Sequence, residues 1–192
     1  MNMDTRAKIL HEALHLFATY GYDGVGVQQI VDESGITKPT LYHYFGNKRG
    51  LFETLVRERS TPLIEMVREA CHYKGDITLS IQTIVKTYFS FAQKHPTFYR
   101  MILSMWFAPP SSEYFSVVQD VQHQQYQLFE ELFRNAVQNH GNMRGRHAQL
   151  AVSLKGTIDT YIGMGLQGYI NLQADDGIEY RIIHQFMHGI FS

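Results

Sequence analysis

Residues 25–51, VGVQQIVDESGITKPTLYHYFGNKRGL, read as two short helices joined by a tight turn. Gly35 lies between the apolar positions Val27, Ile30 and Val31 and a new helix start at Thr37. Glycine tolerates the left-handed backbone that ends one helix and turns the chain into the next. Gly26 can serve as the N-cap of the first helix, and the Thr37 hydroxyl can accept a backbone N–H at the start of the second. Pro39 fits the first turn of that second helix, where N–H groups have no intrahelical acceptor to lose. Between Lys38 and Phe45, the apolar Leu41 and Phe45 share one face, so Lys38, Thr40 and His43 point largely away from it. A short Gly-containing turn between two short helices is the helix-turn-helix pattern, whose second helix enters the major groove of DNA.

With its flanks, the stretch resembles the DNA-binding domain of TetR-family transcriptional regulators. The matching elements are a leading helix with Ile9, Leu10, Ala13, Leu14 and Phe17, the turn Tyr20-Gly21-Tyr22-Asp23, then Ile30 and Gly35-Ile36-Thr37, and Thr40-Leu41-Tyr42-His43-Tyr44-Phe45 followed by Asn47-Lys48 and Leu51. Several elements in fixed order, over roughly the first third of the chain, make a far more specific signal than one glycine turn. Gly26 stands where such proteins commonly have Ser or Thr, and Val31 and Ser34 replace the usual small alanines. The resemblance implies an all-α protein of about nine helices: a three-helix DNA-binding domain over residues 1–47, and a ligand-binding and dimerisation bundle over residues 48–192 that opens with a connecting helix. It also implies that the last two long helices pack on their symmetry mates.

The remaining sequence accommodates that plan. Lys48 to about His72 reads as a long helix with Leu51, Leu55, Leu63, Met66, Val67 and Ala70 among its apolar positions, and Pro62 predicts a kink or a break at Ser60-Thr61. The loop Tyr73-Lys74-Gly75-Asp76 opens a helix carrying Ile77, Ile81, Ile84, Val85, Tyr88 and Phe89, and His95-Pro96 marks its end. Phe98 to Trp106 form a short helix closed by Pro109-Pro110. Ser111 or Ser112 can cap the next one, which runs to about His140 before a polar turn at Gly141-Asn142 and Gly145. Two more helices follow, from about Arg146 to Gln173 and from Gly177 to Ile190.

At 192 residues and 44% hydrophobic content there is ample material for a core. The single cysteine, Cys71, excludes an intramolecular disulfide and, with no signal peptide and no apolar run long enough to span a bilayer, points to the cytoplasm and away from membranes. The formal net charge is −1, and within residues 1–60 seven basic residues are balanced by seven acidic ones. Positive charge is therefore local: Lys38, Lys48 and Arg49 bracket the recognition helix, with Arg6 and Lys8 near the first helix. A monomer with so few phosphate contacts would bind weakly, because affinity grows with each neutralised phosphate. Two copies on a palindromic operator double the contacts, so a homodimer on double-stranded DNA is expected.

By side-chain chemistry, Thr37, Lys38, Thr40 and His43 are the candidates for base edges, and Tyr42, Tyr44 and Lys48 for phosphate anchors. Gln28 and Gln29 are within reach of the backbone. In the resembled family, the tyrosine and lysine positions matching these commonly grip phosphate.

Gly156, Gly163, Gly165 and Gly168 fall in a helical pattern, at a cost of about 1 kcal/mol each relative to alanine. Close approach of a partner helix or room for a ligand would explain them. With Gly156 and Gly163, the residues Ile183, Phe186, Met187 and Ile190 of the last helix make up the expected dimer interface. Aromatic and methionine side chains suited to an adaptable cavity are Tyr88, Phe91, Phe98, Met101, Met105, Trp106, Phe107, Tyr126, Phe129, Tyr161, Met164 and Gln167, and they favour an apolar or aromatic effector. Most such residues are ordinary core in any helical protein.

The pairs His11/His15 and His184/His188 have metal-ligand spacing but no third ligand, so no metal and no cofactor is assigned. No phosphate loop, metal cluster or nucleophile elbow marks an enzyme. The chain reads as a repressor released from its operator by a small molecule. Two other readings stay open: a ligand-independent DNA-organising dimer, and a small-molecule-processing helical enzyme.

Overall fold

The computed structural model describes residues 4–172 and 177–189. Among these are nine α-helices: α1 (Thr5–Tyr20), α2 (Val27–Ser34), α3 (Lys38–Phe45), α4 (Lys48–Ala70), α5 (Ile77–Lys94), α6 (Pro96–Met105), α7 (Phe115–Ala136), α8 (His147–Leu166) and α9 (Ile178–His188), with a 3-10 turn at Gly141–Met143. No strand occurs among the described residues. The chain divides into two compact units, Met1–Thr61 with Thr97–Val121, and Pro62–Pro96 with Gln122–Ser192. Helices α4 and α7 each contribute to both.

In the first unit the turn signals act as the sequence predicts. Gly26 is the N-cap of α2 in an extended conformation, and Gly35 ends that helix at φ 62. There the Ile36 N–H reaches back to the Val31 carbonyl (3.1 Å), closing the last turn. Thr37 Oγ1 accepts from the Thr40 N–H (3.4 Å) at the start of α3. Leu41, Leu51, Leu55, Ile9 and Ile30 are fully sealed in the core. Against them Phe17, Tyr22, Phe52 and Tyr114 form a ring cluster with neighbouring centroids 5.1–5.9 Å apart. Ser34 departs from this apolar pattern: it is buried, and its Oγ meets no partner among the described residues.

The second unit is a bundle in which α5 packs against α8 and α9. Asp76 caps α5 by accepting from the Leu79 N–H (2.9 Å), and Ile77, Ile81, Ile84, Val85, Tyr88 and Phe89 line the buried side of that helix.

Four boundaries bear comparison with expectation. Helix α4 is continuous through Pro62, with no break at Ser60-Thr61. The proline deletes one backbone donor on an exposed face, while Leu63, Ile64 and Val67 stay buried on the other and hold the segment helical. Helix α7 begins at Phe115, not at a serine cap, because Pro109 to Ser112 close a turn of their own (Ser112 N–H to Pro109 C=O, 2.9 Å). Helix α8 stops at Leu166. Gly168, at φ 82, is the left-handed residue just past its end, where Gly168 N–H bonds to Gly165 C=O (3.0 Å) and Tyr169 N–H to Met164 C=O (3.0 Å). Helix α9 ends at His188, and the expected interface residue Ile190 lies outside the described residues.

Candidate functional site

Helix α3 is anchored by Leu41 and Phe45 and turns its other side chains to solvent. Thr37, Lys38 and His43 are exposed, Thr40 is half-buried, and Tyr42 and Tyr44 show 45% and 40% of their surface. The Thr37 and Thr40 hydroxyls lie 2.9 Å apart, so the first turn presents a linked pair of groups that can both donate and accept. His43 packs edge-on against Tyr44, ring centroids 5.4 Å apart. On α2, Gln28 is exposed with its amide N–H donating to Asp32 Oδ1 (2.7 Å), while Gln29 is half-buried.

The basic residues around α3 are more committed than their sequence positions reveal. The Lys48 ammonium donates to the carbonyls of Tyr22 (3.2 Å) and Val25 (3.1 Å) and sits 4.1 Å from the Tyr22 ring centroid. It thus clamps the α1–α2 loop from the start of α4. Arg6 forms an ion pair with Glu58 and lies over the Phe45 ring at 5.7 Å, tying together the start of α1, the end of α3 and α4. Donating to the Glu58 carboxylate raises the Arg6 guanidinium above its ordinary value, and accepting from Arg6 holds the Glu58 carboxyl below the usual range. Arg49 pairs with Glu53 (2.8 Å) and reaches Ser116 Oγ (3.5 Å). Lys38 is exposed at the first turn of α3.

A further contact was invisible in sequence. The buried Tyr22 hydroxyl donates to Glu113 Oε2 (2.8 Å), 91 residues away, and burial raises its phenol well above the ordinary range. The segment between α6 and α7 is thereby fastened to the three-helix domain inside one unit.

The expected effector residues divide between the units. Phe98, Met101 and Met105 are buried in the first, where Trp106 is half-buried and Phe107 stands 90% exposed at the turn after α6. Tyr88, Phe91 and Phe129 are buried in the second, with the Tyr88 and Phe129 rings edge-to-face at 5.9 Å. Tyr126 and Tyr161 are half-buried, Met164 is 42% exposed, and Gln167 faces solvent.

Beside Tyr88 the second unit holds a polar patch that hydrophobic pattern reading passed over. Tyr88 Oη donates to Gln125 Oε1 (2.6 Å), and Lys155, 5% exposed, pairs with Asp159 while its ammonium lies 5.3 Å from the Tyr88 ring centroid. Burial lowers the Lys155 ammonium, with Asp159 acting the other way, and raises the Tyr88 phenol. The signal in sequence was a lysine and two glutamines at inward helical positions. A groove of about 660 Å³ also opens between the end of α4 and α7, with a mixed lining that includes Arg68, Cys71, His72, Tyr73, Leu128 and Glu131.

On the expected interface, Gly156 is exposed and a Cβ there would meet open space. Gly163 and Met187 are half-buried, Ile183 is 7% exposed within its own bundle, and Phe186 packs on Phe133 at 6.1 Å. Gly165 has an internal reason: a Cβ would come within 2.2 Å of the Leu172 side chain. The exposed side of α9 instead carries Tyr180, His184 and His188, the two imidazole centroids 4.7 Å apart. Among the described residues no group of three metal-ligating side chains occurs, and no helix is long and apolar enough to cross a membrane.

Residues 9–55 match the family model described as bacterial regulatory proteins, tetR family. The chain is 28% identical over 99 residues to the HTH-type transcriptional activator FasR of Mycolicibacterium smegmatis, a match covering 52% of this chain and 45% of that protein. To the HTH-type transcriptional repressor AcnR of Corynebacterium glutamicum it is 35% identical over 66 residues, 34% of this chain and 35% of the relative. The chain thus matches less than half the length of either relative. Over nearly its whole length it shares a fold with the transcriptional regulator FadR of Bacillus subtilis, solved in complex with stearoyl-CoA: TM-score 0.78 at 17% identity, covering 96% of this chain and 98% of that one.

Proposed function

We propose that this chain, whose residues 9–55 match the tetR family model, is a homodimeric transcriptional repressor that leaves a palindromic operator when its C-terminal bundle takes up a small molecule. The observation that carries the reading is α3. Its inner face is sealed by Leu41 and Phe45, and its outer face offers Lys38, Thr40, Tyr42, His43 and Tyr44 together. Thr37, Lys38, Thr40 and His43 read base edges, with Lys38 suited to guanine acceptors and the threonine methyls to thymine. Tyr42, Tyr44 and Lys48 hold phosphates, and Gln28 adds a backbone contact from α2. Residues 1–47 serve recognition, and residues 48–192 serve effector binding and dimerisation. Gly156 and Gly163 on α8, with Met187 and the exposed side of α9, form the seam with the second copy.

Release requires that the effector favour one arrangement of the dimer over the other, since a ligand with equal affinity for both shifts nothing. Helices α4 and α7 belong in part to each unit. The first turns of α7 follow directly on Glu113, which holds Tyr22. A displacement of α7 by an effector therefore acts on the loop that Lys48 also clamps. The regulator of the same fold solved with stearoyl-CoA supports a small-molecule effector.

Footprinting of the purified protein on the DNA upstream of its own gene, repeated over a salt series, tests the reading. Protection of two half-sites about 34–36 Å or a multiple apart, with steep salt dependence, is the expected result. Binding without sequence preference at every salt concentration would refute it.

A further inference from the structure

Helix α7 presents a buried stripe of Val118, Phe129, Leu132, Phe133 and Ala136, which two glutamines interrupt on successive turns. Gln122 is 9% exposed and Gln125 3%. Gln125 accepts from Tyr88, and Lys155 pairs with Asp159 one helical turn on. Gln122 does not share in this: its Oε1 is buried, and no donor among the described residues reaches it. A helical core needs none of these polar groups to fold, and a buried acceptor without a donor carries its full desolvation penalty.

The chemistry of the patch narrows what would complete it. Oε1 can only accept, so the missing group is a donor. The patch is buried and already holds the Lys155–Asp159 ion pair, so a charged head group would lose its hydration there. On the same buried face of α7, Phe129 meets the Tyr88 ring edge-to-face at 5.9 Å, which favours an apolar body. We propose that the effector is an uncharged molecule with an apolar body and one hydrogen-bond donor, a hydroxyl or an N–H, which Gln122 Oε1 receives on the buried face of α7, one turn before Gln125. This rests on the reading of the chain as a ligand-released repressor and names the class of ligand for it.

Two matched pairs of probes test it, decanol with decyl methyl ether and indole with N-methylindole, together with decanoate as the charged control. Each is titrated calorimetrically into the full chain and into Gln122→Leu, and operator release is followed in parallel by fluorescence anisotropy. In at least one pair, the donor-bearing member should bind about tenfold more tightly than its methylated partner, the worth of one net hydrogen bond. That preference should vanish in Gln122→Leu while the methylated probe binds as before. Gln122→Met serves as the second apolar replacement if the leucine variant melts early. Equal binding of both members in both pairs, a preference that survives the substitution, tightest binding of decanoate, or silence from every probe each overturns the proposal. A chain that grips a specific operator yet ignores all five probes sinks this inference and leaves the repressor reading standing. A chain with no specific operator sinks the repressor reading itself.

Discussion

The Lys48 ammonium closes the Tyr22–Val25 loop and is also assigned to a phosphate. The two roles leave different marks. Lys48→Ala should weaken binding to all DNA sequences and reduce the slope of log affinity against log salt by about one phosphate. It should also lower the melting temperature of the free protein, because two carbonyls lose their donor. A lower melting point with an unchanged salt slope would leave Lys48 only the loop. Thr40→Ala should relax sequence preference without altering that slope, measurable by selection from randomised half-sites. Cys71 makes a prediction in alkali. It is buried, and desolvation pushes its thiol up to about 12. The folded state therefore keeps a proton that the unfolded chain sheds above about pH 8.5, so stability falls as pH rises, by about 1.4 kcal/mol per unit between there and pH 10. Cys71→Val should flatten that limb in urea melts at pH 8–10, and an unchanged slope would refute the assignment. These residue types were all visible in the sequence. Their partners were not, since the distance from Tyr22 to Glu113 along the chain carries no local signal.

The caps and turns of the helices were legible wherever a residue has one stereochemical use. Gly35, Thr37, Pro39 and Asp76 each occupy the position their chemistry dictates. Legibility failed at the end of α8, because periodicity cannot distinguish a glycine inside a helix from one just past its end. Gly168 is the terminator, and Gly165 is small because the chain folds back and sets Leu172 against it, held there by the Gln93 amide on the Leu172 carbonyl (2.8 Å). Gly156 has no such internal neighbour and supplies the contrast. Gly165→Ala should destabilise the chain by about 1–3 kcal/mol through overpacking. Gly156→Ala should raise helix stability by up to about 1 kcal/mol in the monomer yet weaken dimerisation, because its Cβ would enter the proposed seam. Sedimentation of Gly156→Ala over a dilution series decides this: unimpaired dimerisation would move the seam elsewhere.

For the molecule as a whole, fold class and DNA-binding domain could be read from the order of apolar stripes, glycines and caps, because those features act within a few residues of one another. The effector region could not. Aromatic and methionine side chains at inward positions look alike whether they fill a core or line a site, and the polar patch at Lys155 and Asp159 depends on three helices meeting. Nor did the sequence show that the first unit is discontinuous, drawing on Met1–Thr61 and again on Thr97–Val121. That discontinuity bears on how the proposed DNA reader could be recombined with another sensor. A reader head excised at residue 47 or 61 and grafted onto a foreign sensor would part Tyr22 from Glu113 and Tyr114, and the cut at 61 would also part Arg49 from Ser116. Chimeras that keep the proposed operator reading intact should be those that transplant the second stretch along with the first.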